Sequence, residues 1–309
     1  MLIRDIDIPM LFSYNGVKGG TPMPLLLLPS ILFASLNSIL LHRVKLTTAS
    51  SVFGLNAIGS LVWLLCLSAV NGFSLHLGRP ILIFGILYGV TQALFILFKL
   101  LAMNSGPVSV TTLCGNASLL LSVIVCYLAF GEPITFGDGI GLFLLLAALL
   151  LLTYPKSRGG AAMSARWGVC TLLFLVLSAG VGITFKAFGK SGLSNGTNDM
   201  MITAAAVMLL IFSLLWLFFR RKEAKNAPAL GRGFFAVAIT SGLLSCLYNR
   251  LNIYLAGILD AILFFPFFNG GVVLASAICS VLFTKEKMDP RKASGLFLGI
   301  AAIAVIGIF

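Results

Sequence analysis

Gly131-Glu132-Pro133-Ile134-Thr135-Phe136-Gly137-Asp138-Gly139-Ile140-Gly141-Leu142-Phe143-Leu144 closes one long apolar run and opens the next. Near the other end of the chain, Glu286 follows a second such run, and Gly295-Leu296-Phe297-Leu298 follows Glu286. The two glutamates and the two Gly-Leu-Phe-Leu words are both 154 residues apart. Carried upstream, that offset sets Ala102 on Ala256 and Asn116 on Gly270. Residues 99–152 and 253–306 therefore read as two copies of one unit. Duplicated helical units are a common way to build a membrane transporter around a central site.

The chain of 309 residues is 59% hydrophobic and 10% charged, with a mean hydropathy of +1.08. That is too apolar for a soluble domain. A membrane-spanning helix needs about 20 mostly apolar residues. Ten segments meet or approach this: 24–42, 51–70, 80–102, 107–129, 136–154, 166–188, 199–219, 233–255, 258–284 and 290–309. Residues 1–22 read as a polar tail, and 24–42 as a retained first helix because no small-x-small cleavage pattern follows it. The fold expected is an all-α polytopic membrane protein of ten transmembrane helices. Its parts are the tail (1–22), a first five-helix repeat (23–154), a linker (155–165) carrying Pro155 and Gly159-Gly160, and a second five-helix repeat (166–309). Five is odd, so the second half enters from the opposite side and the repeats are inverted.

Loop charges give an orientation. Loops 1–2, 3–4, 5–6, 7–8 and 9–10 carry fifteen Lys and Arg residues, with the densest cluster between Arg220 and Arg232. The side holding both termini carries five: Arg4, Lys18, Arg79, Lys186 and Lys190. Basic loops normally stay in the cytoplasm, so the count places both termini outside. The net charge of +12 is accounted for by these loops and is no sign of a nucleic-acid partner. All six cysteines fall in apolar segments without a Cys-x-x-Cys pair, which offers neither a disulfide framework nor a zinc site.

Polar side chains inside lipid need a partner or a water-filled cavity. Ser241, Ser245, Tyr248, Asn249 and Asn252 recur along one face of segment eight, with Arg250 beside it. Segment three supplies Tyr88 and Gln92, with Lys99 near its end as a snorkelling residue, and segment one supplies Asn37. Segment nine contains Phe264-Phe265-Pro266-Phe267-Phe268-Asn269-Gly270-Gly271, where proline and glycines weaken the helix. The offset maps it onto Thr112–Ala117 in segment four, which holds Asn116. The substrate-binding candidates are therefore Asn37, Tyr88, Gln92, Asn116, Ser245, Tyr248, Asn249, Arg250, Phe268 and Asn269. Arg250 is expected to face the central cavity and meet an anionic substrate group. Interhelical hydrogen bonding and headgroup snorkelling are the bland alternatives for this stripe. No carboxylate lies mid-segment, which argues against proton antiport through a buried acid. Catalytic motifs are absent, so neither an enzyme nor a cofactor is expected.

Asn116-Ala117-Ser118-Leu119-Leu120-Leu121, then Gly131-Glu132-Pro133-Ile134-Thr135, then Gly139-Ile140-Gly141 resembles the EamA-type repeat of the drug/metabolite transporter superfamily. The second copy keeps Glu286 and Gly295 but has Lys285 where the family often has glycine, and segment one lacks the family's frequent Trp-Gly pair. The resemblance implies ten helices in two inverted repeats and export or exchange of small metabolites by alternating access. It also implies cytoplasmic termini, against the loop charges. The reading is a multi-pass transporter of small organic solutes in the inner or plasma membrane. Its partners are a small-molecule substrate and the lipid bilayer, without nucleic acid; its oligomeric state is open. Helices one, three, four, six, eight and nine would line the path and five and ten would pack the scaffold. Two alternatives stay open: a selective organic-anion facilitator, and a non-transporting membrane sensor or assembly protein.

Overall fold

The computed structural model describes residues 27–43, 48–153, 164–223, 231–284 and 290–308. The tail of residues 1–22, Pro155–Gly160, and Glu286 with Lys285 lie outside them. Within the described residues the chain is all α. The helices are α1 (Leu27–Arg43), α2 (Ala49–Val70), α3 (Arg79–Ser105), α4 (Val108–Phe130), α5 (Phe136–Thr153), α6 (Ala165–Lys190), α7 (Thr197–Lys222), α8 (Arg232–Ile258), α9 (Ala261–Thr284) and α10 (Pro290–Ile308). The bounds fall within three residues of those read from the sequence. Nine of the helices are long and apolar enough to cross a membrane, and α1 carries a shorter apolar stretch.

The ends are set by local chemistry. Thr48 caps α2 by accepting from Ser51 N, and Ser164 caps α6 by accepting from Trp167 N. Glu223 also accepts from Ala49 N and Ser50 N, both at 3.1 Å, so a carboxylate sits at the positive end of α2. Gly131 ends α4 in the left-handed region (φ 64°), a turn that glycine enters without strain. Asp138 and Thr135 exchange hydrogen bonds at the start of α5.

The segment-nine word does interrupt its helix. α9 runs helically over Ala261–Phe265, passes through a π-helical turn at Pro266–Gly270, and resumes at Gly271–Thr284. Proline has no N–H to continue the ladder. The matched stretch Thr112–Ala117 behaves differently, because α4 is continuous. It contains no proline, and Thr111 and Thr112 donate back to Pro107 O and Val108 O within the helix.

Helix contacts come in pairs. α2 packs on α8 as α3 does on α7, α1 on α8 as α6 on α3, and α4 on α6 as α9 on α1; α2 also meets α7, and α5 meets α10. Small residues allow several of these approaches. A Cβ on Gly89 would fall 2.9 Å from Ala204 O of α7, and one on Gly295 would fall 3.0 Å from the Leu151 side chain of α5.

Cross-helix bonds define two ends of the bundle. Asn71 donates to Asp199, and Glu132 accepts from Ala261 N, which gathers the 2–3, 4–5, 6–7 and 8–9 connections on the Glu132 face. On the opposite face Glu223 meets the start of α2, and Trp167 Nε1 donates to Thr111 Oγ1 at 2.9 Å. This second end, towards which Lys99 lies, is the Lys99 face.

Candidate functional site

A cavity of about 440 Å³ lies in the bundle between α1, α2, α3, α7 and α8. Its wall includes Leu41, Val52 and Met103, all within a turn of the Lys99-face ends of their helices, so this is the end at which it opens. An inner chamber of about 190 Å³ continues towards the Glu132 face, between α3, α4, α6, α8 and α9. Gln92, Phe95, Tyr248 and Asn249 belong to both walls.

The stripe on α8 read from the sequence faces this space. Ser241, Ser245, Tyr248 and Asn249 line the main cavity, and Asn252 lines the chamber. Three of them are held by hydrogen bonds. Trp63 Nε1 donates to Ser245 Oγ at 2.9 Å, Asn249 Nδ2 donates to Ser245 O at 2.8 Å, and Ser30 Oγ donates to Asn252 Oδ1 at 2.6 Å. The π-turn presents Phe268 and Asn269 to the chamber, where Phe268 stacks on Phe264 with centroids 6.1 Å apart. The interrupted helix thus exposes a polar amide among aromatic rings.

Of the ten candidates, Asn37, Gln92, Ser245, Tyr248, Asn249, Phe268 and Asn269 converge on the two spaces. Tyr88 does not reach them. It is fully buried against Phe185 and donates to Asn249 Oδ1 at 3.4 Å, which makes it a support for the wall. Asn116 lies outside both linings, and its buried Nδ2 has no hydrogen-bond partner among the described residues. Arg250 corrects the expectation made for it. It is one residue, about 100° of helix, past Asn249, and it lines a separate cavity bordered by α8, the end of α6, the turn into α7 and Pro29 of α1. A polar stripe locates the inward face of a helix, but a neighbouring charge belongs to a different face.

Other residues were missed. Lys99 lines the main cavity, with its Nζ 6.0 Å from the Phe95 centroid, and among the described residues no carboxylate lines either space. α2 and α7 contribute through Asn56, Ser60, Trp63, Met208 and Phe212, although neither was expected on the path. α5 and α10 are absent from both linings.

On the Glu132 face an ion cluster joins three elements. Lys186, counted from the sequence as a loop charge, lies within α6 and is fully buried. Its Nζ is 2.7 Å from Glu132 Oε1 and also donates to Leu259 O. Lys190 pairs with the same Oε1, and Glu132 Oε2 accepts from Ala261 N at 2.7 Å. One carboxylate therefore ties the end of α6 to the start of α9. Burial pushes the Glu132 carboxyl up, but hydrogen bonds from Lys186, Lys190 and Ala261 outweigh it and hold the group below its ordinary value. The readable signal was Lys186 and Lys190 at i and i+4, one face of a helix, in a chain with few acids.

Beside this cluster α6 packs on α8. Gly189 and Gly257 abut, and a Cβ on Gly257 would fall 2.9 Å from Gly189 Cα. The pair related by the helix correspondence, α1 and α3, has no comparable packing among the described residues.

No protein-family model matches the chain. No curated protein matches it either. A solved structure titled "Crystal structure of protein" is similar over 93% of this chain and 96% of its own, with a TM-score of 0.71 and 15% identity. At that identity the likeness is one of fold, a ten-helix polytopic membrane architecture.

Proposed function

We propose that this protein carries small polar organic metabolites across a cell membrane by alternating access, as an exporter or exchanger related to the EamA-type transporters that its repeat ends resemble. The observation that carries this reading is the one-sided cavity. Paired helix contacts are what two inverted five-helix halves give, and the largest departure from the pairing is that α6 closes on α8 while α1 stands off α3. In an inverted repeat, exchanging those two arrangements moves the opening from the Lys99 face to the Glu132 face. By the loop charges the Lys99 face is cytoplasmic and the cavity opens inward; by the cytoplasmic termini that the resemblance implies it opens outward.

The wall favours a neutral or anionic solute. Among the described residues it offers amides and hydroxyls (Gln92, Asn249, Asn269, Ser245), aromatic surface (Phe95, Tyr248, Phe268), one cation and no acid to receive a cationic substrate. The reading involves no bond-making step and no cofactor. Lys99 also favours the second reading, a facilitator selective for organic anions, with Lys99 taking the part first given to Arg250.

Purified protein in liposomes tests the proposal, with labelled neutral amino acids and monocarboxylates as probes. The expected result is saturable flux that falls in Gln92→Ala and Asn249→Ala and is accelerated by unlabelled solute on the far side. Flux of carboxylates alone, without acceleration, favours the facilitator. Flux no greater than in protein-free liposomes, from protein that melts cooperatively, contradicts both.

A further inference from the structure

The 154-residue offset relates the cavity around Arg250, of about 430 Å³, to the outer part of the main cavity. On the Lys99 face the main cavity is lined by Ile96, Lys99, Leu100 and Met103 of α3. The offset carries these positions to Arg250, Ile253, Tyr254 and Gly257 of α8, and all four line the cavity around Arg250. The other walls correspond as well. The later part of α1 and the first turns of α2 border the main cavity, whereas the end of α6 and the first residue of α7 border this one, with Pro29 of α1 added. Its wall includes Ile258, the last residue of α8, and the exposed Ser194 and Asn195 of the turn between α6 and α7, so it opens at the Glu132 face.

Each cavity is lined by one cation and, among the described residues, by no acid. Lys99 lies six residues, about 9 Å of helix, before the end of α3 at Ser105, and Arg250 lies eight residues, about 12 Å, before the end of α8 at Ile258. Arg250 Nε donates to Asn198 Oδ1 at 2.9 Å, its sole hydrogen bond among the described residues. That bond fixes the guanidinium and leaves its terminal N–H groups for another acceptor. Asp199, next to Asn198, is engaged elsewhere, accepting from Asn71 Nδ2 at 2.7 Å. A half-buried cation in a largely apolar wall is costly unless an anion or water meets it.

We propose that this cavity is the Glu132-face counterpart of the Lys99 end of the main cavity, a vestibule in which the Arg250 guanidinium receives the carboxylate of the solute. The two cations then serve one solute group from opposite ends of the path, Lys99 from one face and Arg250 from the other. The proposal rests on the transport reading and goes beyond it by naming the solute's charge and a second station for it. A planar fork suits a carboxylate, which it meets with two parallel N–H groups, and a wall without acids does not favour a cation.

Two arms separate the site from the path. In the first, detergent-purified Thr197→Cys protein reacts with an anionic sulfonate-bearing or a cationic trimethylammonium-bearing methanethiosulfonate, each rate taken relative to a simple thiol in solution and in excess of the wild-type rate. The sulfonate reagent should be favoured at least about fivefold, because a cation-lined cleft concentrates anions. Arg250→Gln should remove that preference. Excess lactate should slow the reaction more than chloride or lactamide at the same concentration. If Arg250→Gln fails to melt cooperatively, protection by lactate decides alone, and Asn195→Cys, on the exposed turn, replaces Thr197→Cys if that variant does not fold. No preference for the anionic reagent, or slowing by chloride as strong as by lactate, overturns the proposal. In the second arm, liposomes take up labelled lactate or lactamide. Arg250→Gln should lower the lactate-to-lactamide flux ratio about tenfold, as expected for loss of a charge-assisted hydrogen bond. An unchanged ratio overturns the vestibule and leaves the transport reading standing. Protection by lactate without flux in wild type contradicts the transport reading and leaves Arg250 in a binding site only.

Discussion

The two ends of the bundle are held by different contacts. On the Glu132 face, α6 and α8 meet at Gly189 and Gly257, and Glu132 binds Lys186, Lys190 and Ala261 N across the gap. On the Lys99 face α1 and α3 border a cavity whose Lys99 has an aromatic ring and, among the described residues, no acid beside it. Much the same fold can therefore be shut at one end and open at the other, because what decides closure is a few contacts that form at one end only. The charges differ in kind as well. A buried carboxylate lies between two ammoniums at one end, whereas at the other a cation lines a cavity.

Breaking the Glu132 cluster should have the largest effect. Glu132→Ala leaves the fully buried Lys186 uncompensated, which is expected to cost about 3–5 kcal/mol, measured as the loss in unfolding free energy in detergent. Adding Lys186→Met should recover part of the loss, since replacing both charges by apolar groups removes the uncompensated one. If the double variant is worse than the single, the cluster is no coupled unit.

The glycine contact comes next. Gly257→Val drives a side chain into the Gly189 backbone, and overpacking of this sort costs about 1–3 kcal/mol. The offset places Met103 in the corresponding position of α3, where Met103→Val should change stability by less than about 1 kcal/mol because the side chain borders open space. Similar losses at both positions would show that the faces do not differ as described.

Lys99→Gln sharpens the comparison from the open side. It should weaken carboxylate transport about tenfold, as expected for loss of a charge-assisted hydrogen bond. Neutral solutes and the melting temperature should be nearly unaffected. A uniform loss for all solutes would make Lys99 a structural residue.

The smallest effect is one of pH. The Glu132 carboxyl is held below its usual 4.5, so it binds its proton more weakly when folded than when unfolded. Its stabilisation is complete above about pH 4.5 and is lost as pH falls through the lowered folded value. Wild type and Glu132→Gln should therefore differ by a constant margin between pH 8 and 5 and converge below that. Convergence already at pH 6 would mean that the group is not lowered.

Much of the fold was legible because lipid imposes a strong rule: every spanning segment must be long, apolar and helical. The break at Pro266 could be read for the same reason, since proline removes a donor wherever it falls. The cavity was half legible. The α8 stripe from Ser241 to Asn252 identified an inward face, but Arg250 did not, because adjacent residues on a helix point about 100° apart. Tyr88 looked like a wall residue, yet its hydroxyl bonds Asn249 from behind. The Glu132 cluster was hidden because its partners are far apart in sequence. Glu132 reads as the end of a helix, and only the packing of α6 against the 4–5 and 8–9 connections brings the two lysines to it.

The central claim is that closure of one face and opening of the other are coupled. Spin labels at Ser191 and Ile258 report the α6–α8 end, and labels at Leu41 and Asn104 report the α1–α3 end. Pulsed electron–electron distances in wild type and Glu132→Gln, in lipid nanodiscs, compare them directly. The account predicts reciprocal shifts: with the cluster weakened, the α6–α8 distances lengthen in a fraction of molecules while the α1–α3 distances shorten in a similar fraction. Lengthening at the Glu132 face with unchanged distances at the Lys99 face would contradict it.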